Sequence, residues 1–207
     1  MSSGSLERST LPHFVSPKNA TPVPIADELQ HDALRQFALD PAVTTLEFVE
    51  SVEVAGSVVR LDALVVTGAR RNLVEFETSV LRDLDDEGLF LLASRKLRAI
   101  PLLLSRSFIT RQPVVANARE IWSHHTRPVG RDRAIAICSA LDLNGPMPLA
   151  LLVREFGRDA KWDVYGLACK AALTIDLGVK LGSSMVSLAQ PARHPATSVA
   201  LRQAVTR

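Results

Sequence analysis

Three carboxylates in the first half of the chain are placed where chemistry, more than solubility, would use them. Asp62 interrupts the otherwise apolar run of residues 59–66, and Glu75 and Glu77 stand two residues apart in the next apolar run, so on a strand they share a face. The separation from Asp62 to Glu75 is 75 − 62 = 13 residues, which suits two neighbouring strands joined by a tight turn and would lay the acids side by side. Carboxylates gathered at one end of a sheet must be neutralised or must hold a cation. Hard oxygen ligands of this kind favour Mg²⁺ or Mn²⁺. Glu28, in an amphipathic stretch upstream, is placed to add another ligand. The same pattern has a plainer reading, an antiparallel sheet with one solvated face, which also accounts for Glu47, Glu50 and Glu53.

The elements that must position these acids can be read from periodicity. Ile25, Leu29, Ala33 and Phe37 recur every fourth residue, with Asp40-Pro41 as a stop, and predict a helix over residues 25–40. Val- and Leu-rich runs at residues 46–54, 57–66 and 73–76, separated by Gly56 and by the polar turn 68–72, predict three strands in a meander. Residues 79–87 read as a short charged helix ended by Gly88, and the unalternating run 89–93 reads as a strand buried on both faces. Helix, strands, helix, strand describe an α/β unit.

Beyond Arg127-Pro128 the pattern changes. Helices are expected over residues 132–141, 149–156 and 162–173, with a turn at Asn144-Gly145-Pro146 and two short strands at 174–177 and 185–188. Three helices and a hairpin describe a winged helix-turn-helix, whose third helix would enter the major groove of duplex DNA while the hairpin touches backbone. Arg158, Lys161, Lys170 and Lys180 are its candidate DNA contacts. The third helix is only weakly basic, because Asp163 offsets Lys161 and Lys170, and a module of this shape can equally bind protein. The expected division is a disordered arm at 1–24, an α/β domain at 25–128, a winged-helix domain at 129–189 and a tail at 190–207.

The helix with Glu28, followed by "VVRLDALVV", a turn, "RNLVEFE", a helix and a strand, resembles the PD-(D/E)XK nuclease fold. With the second half added, residues 25–189 are similar in layout to the endonuclease subunit of heteromeric transposases, the TnsA type. That resemblance implies a restriction-endonuclease-like mixed sheet flanked by helices, phosphodiester hydrolysis with Mg²⁺ or Mn²⁺, and catalytic positions at Asp62, Glu75 and residue 77. It further implies metal ligation by Glu28, Asp62 and Glu75, and duplex DNA and a DNA-strand-transfer transposase subunit as partners. One position departs from the pattern: where the family places a lysine, this chain has Glu77. The lysine orients attacking water and offsets charge building on the phosphoryl oxygens, which a glutamate cannot do. Three outcomes stay open: Glu77 joins the metal ligands, a base such as Arg60, Arg82, Arg95 or Lys96 substitutes from elsewhere, or cleavage is lost and the fold serves as a DNA-binding or assembly scaffold.

Charge and composition bear on the same choice. The formal net charge of +2 over 207 residues is a cancellation: residues 27–90 hold 14 acidic against 5 basic residues, and residues 91–207 hold 7 against 17. An acid-lined half suits cations and a basic half suits phosphates. No apolar run approaches membrane-spanning length and no export signal is legible, so a cytoplasmic protein without membrane contact is expected. Cys138 and Cys169 show no metal or disulfide spacing and read as small apolar core residues. Adjacent His124 and His125 point about 100° apart on a helix and do not chelate one ion, and Trp122 and Trp162 read as packing residues. No glycine-rich phosphate loop, nucleophile elbow or Cys/His dyad is present, which excludes the common nucleotide-hydrolase, dehydrogenase and serine- or cysteine-hydrolase signatures.

Overall fold

The computed structural model describes residues 12–54, 56–77 and 84–189. Its first half is a mixed four-stranded sheet with helices on both faces. Helix α1 (Glu28–Leu39) starts where the Asp27 carboxylate accepts a hydrogen bond from the Gln30 N–H at 2.7 Å, and stops at Asp40 ahead of Pro41. Its last turn is held from outside by Lys18, whose ammonium donates to the carbonyls of Phe37 (3.1 Å) and Asp40 (2.5 Å). Strands β3 (Thr45–Val54), β4 (Ser57–Thr67) and β5 (Arg71–Phe76) form an antiparallel meander, and β6 (Ile100–Leu104) lies parallel to β5 at the edge. Helix α2 (Leu84–Lys96) makes the crossover between them.

The sheet has two dry faces. Leu46, Leu64, Val66, Val74, Leu102 and Leu104 face α1 in the main core, while Val49, Ala63, Val65 and Leu73 pack with Phe90 and Ala99 in a smaller one on the α2 side. Such alternation along β4 and β5 is what a doubly covered sheet requires.

The second half begins with α3 (Arg106–Ile109) and α4 (Val114–Trp122), which return the chain to α1, and continues through α5 (Arg131–Asn144), α6 (Leu149–Phe156) and α7 (Ala160–Cys169). A three-stranded sheet, β7 (Met147–Pro148), β9 (Met185–Leu188) and β8 (Leu173–Ile175) in that spatial order, closes it. No helix among the described residues is long and apolar enough to cross a membrane.

Three expectations are corrected. The arm was expected to be disordered through residue 24, yet β1 (His13–Phe14) pairs with β2 (Val23–Pro24), and Phe14 and Val23 are buried in the main core; residues 1–11 lie outside the described residues. Composition misleads here because the described part of the Ser/Pro-rich stretch carries just two apolar core side chains, but Phe14 lies flat on Trp122 with ring centroids 4.7 Å apart. Next, residues 89–93 are helical, not a strand. Gly88 does not end α2, since a lone glycine costs about 1 kcal/mol and tertiary packing of Phe90 and Ala93 outweighs that. The parallel strand is instead Ile100–Leu104. The third correction concerns residues 160–169: apart from Lys161 and Trp162, all of α7 is buried. The helix expected to read a DNA groove is the central post of the second half, packed against α4, α5 and α6. The expected helix over 79–83 and the tail at 190–207 lie outside the described residues.

A boundary at 128 does not interrupt the core, because one continuous apolar cluster runs from Phe14 through α1 and α4 into α7 and Val186.

Candidate functional site

Asp62 occupies a β-bulge. Val49 pairs with Ala63 and Ser51 with Arg60, so Glu50 faces two residues, Leu61 and Asp62, and Asp62 takes a left-handed φ of 46°. Aspartate tolerates that conformation better than most residues. Its Oδ2 accepts from the Arg60 Nε at 2.7 Å, an exposed pair.

Register decides how the acids relate. Leu64 pairs with Val74 and Val65 with Leu73; continued two residues, it sets Asp62 across from Phe76. Glu75 follows Val74 and shares the α2 face with Leu73, whereas alternation along β4 is broken at Asp62 by the bulge.

The remaining carboxylates have definite duties. Glu77 accepts from the Arg106 N–H at 2.9 Å, and its own N–H donates to the Leu104 carbonyl at 3.0 Å. It thus satisfies a free donor at the start of α3, where a lysine would set a cation against N–H groups. Glu28 accepts from Arg35 Nη1 at 2.7 Å and lies 3.6 Å from Arg119 Nη2 and 3.7 Å from His31 Nδ1. Among the described residues no three His, Cys, Asp or Glu side chains are grouped to hold a metal ion.

The most tightly built charged centre is formed around a carboxylate that spacing does not single out. Asp32, 2% exposed on α1, accepts from Arg119 Nε (2.7 Å), Arg119 Nη2 (2.5 Å) and Arg35 Nη1 (2.8 Å). Burial pushes its carboxyl up, but the two guanidiniums together outweigh burial and hold it below the usual carboxylate range. Burial and Arg35 lower the neighbouring His31. The signal in the sequence was an acid on the buried side of a helix, which needs a cation from another element.

Between α4 and α7 lies a second cluster. Lys161 pairs with Glu120 at 2.8 Å and sits 4.6 Å over the Trp162 ring, and the Tyr165 hydroxyl donates to Glu120 at 3.2 Å. Burial, then the Glu120 charge, push the Tyr165 hydroxyl up. His124 stacks on Trp162 and His125 on Trp122, so the adjacent histidines serve separate aromatic partners. Asp163 is held between Arg127 and Arg133.

The candidate DNA contacts are therefore dispersed. Arg158 lies in the turn before α7, Lys170 just past its far end, about 15 Å along a ten-residue helix, and Lys180 in the loop between β8 and β9; these three are exposed, while Lys161 is already engaged. The β8–β9 loop is anchored by Asn117 of α4, whose amide donates to the carbonyls of Leu177 (2.9 Å) and Val179 (2.7 Å). Compared with known protein families, curated proteins and solved structures, the chain matches none of them.

Proposed function

We propose that the chain is a DNA-binding subunit of a DNA-processing assembly, keeping the scaffold of a PD-(D/E)XK endonuclease and a winged helix-turn-helix and related in role to the endonuclease subunit of heteromeric transposases. The observation that carries this reading is topological. A helix, an antiparallel three-strand meander, a crossover helix and a fourth strand parallel to the third follow one another, with Asp62 on the second strand and Glu75 on the third. The three helices and three-stranded sheet of residues 131–188 support the winged-helix part.

Binding is favoured over cutting because Glu77, at the position where the nuclease pattern has a lysine, serves α3. With α7 enclosed, DNA meets the exposed turn and loop cations, Arg158, Lys170 and Lys180, through phosphate contacts and not a helix in the groove. Metal-dependent hydrolysis is the second reading, favoured by the left-handed bulge at Asp62, since such irregularities concentrate next to active sites.

Fluorescence anisotropy with labelled duplex across a salt series tests the binding reading. Lys180→Ala should lower the salt slope by about one unit and Lys161→Ala, already paired with Glu120, by much less. Absence of salt-dependent binding overturns the proposal. Nicking of supercoiled plasmid in Mg²⁺ or Mn²⁺ that is lost in Asp62→Ala would establish the second reading over the first.

A further inference from the structure

The outer face of α2 carries a pattern that the packing of the described residues does not use. Phe90, Ala93 and Ser94 face the sheet, whereas Leu89 (38% exposed), Leu91 (44%) and Leu92 (46%) face away from it. Asp85, Leu89, Leu92 and Lys96 follow at intervals of four, three and four residues and so form one stripe, acid at the start, leucines at the centre, base at the end. Positions 85 and 96, and positions 89 and 92, lie equally far from a point between Phe90 and Leu91. Reversing the helix about that point exchanges acid for base and leucine for leucine.

A two-fold symmetric contact demands this self-complementarity. We propose that α2 is a homodimerisation helix, its occupant the α2 of a second copy of this chain, packed antiparallel. Asp85 of each copy then meets Lys96 of the other, and the Leu89 and Leu92 side chains meet on the axis. Gly88 sits beside the stripe, and a Cβ there would meet nothing within 4 Å, so no contact among the described residues requires glycine at a helical position where it costs about 1 kcal/mol. A closely approaching second helix supplies the reason. Leu103 on the edge strand β6, 61% exposed, lies on the same side of the sheet as α2.

The test uses the full chain in sedimentation equilibrium at concentrations up to about 100 µM, with circular dichroism confirming the fold of each variant. Wild type should form a dimer that weakens with salt. Asp85→Lys and Lys96→Asp should each weaken self-association about tenfold, since each sets like charges together twice. An equimolar mixture of the two variants should associate like wild type, because every pair across the axis is opposite in sign again. A monomeric wild type, a dimer indifferent to both substitutions, or a mixture no tighter than its components overturns the proposal.

Discussion

Removing Arg119 tests whether the buried Asp32 centre joins α1 to α4 in energy as it does in geometry. Arg119→Ala deletes two of the three donors to Asp32, at 2.7 and 2.5 Å, and leaves Arg35 at 2.8 Å. Breaking a fully buried pair costs about 3–5 kcal/mol. Here the arginine side chain is 50% exposed and one guanidinium stays, so solvent and Arg35 recover part of that and about 2 kcal/mol is expected. For a chain of this size it corresponds to a fall in Tm of roughly 4–8 °C. Urea unfolding of wild type, Arg119→Ala, Asp32→Asn and the double variant gives the coupling directly. A coupling below about 0.5 kcal/mol, the range of exposed pairs, would refute the reasoning, because it would mean that Asp32 is not held dry between the helices.

Three further outcomes are expected. Stability should fall as pH drops below about 6.5: burial, reinforced by Arg35 and Arg127 respectively, lowers His31 and His124 in the fold, so the unfolded chain takes up protons first, and thermal unfolding between pH 5 and 8 reads the slope. Phe14→Ala should cost about 3 kcal/mol or more in denaturant unfolding, since Phe14 is 2% exposed against Trp122, whereas an unattached arm would leave the midpoint unchanged. A thiol-reactive dye should modify Cys138 in the native protein and leave Cys169, which is buried and pushed up to about 12 by burial, until unfolding.

What the sequence made legible and what it hid differ for physical reasons. Helix α6, strand β9 and the β3–β4 hairpin were within a residue or two of their positions, because amphipathic period, valine content and Gly56 act locally. Residues 89–93 read as a strand in the sequence because a short apolar run has no periodicity, and only the sheet it packs on decides between helix and strand. The candidate acids were recognised singly, but their relation was not. A single extra residue at Leu61–Asp62 and the one-residue alternation of β5 decide which face each carboxylate meets, and spacing alone carries neither. The reason for Glu77 was equally non-local, since its partner is 29 residues away.

Asn117 has a consequence for anyone who would take the molecule apart. Its one amide bridges from α4 to two carbonyls of the β8–β9 loop, while the Cys169 thiol reaches the Ile121 carbonyl at 3.4 Å and Tyr165 reaches Glu120. A cut between residues 128 and 129 would strand donors and acceptors on both fragments and bare the shared apolar seam. Neither piece is then a transplantable module, and chimeras should be joined outside residues 12–189 and not at the centre of the chain.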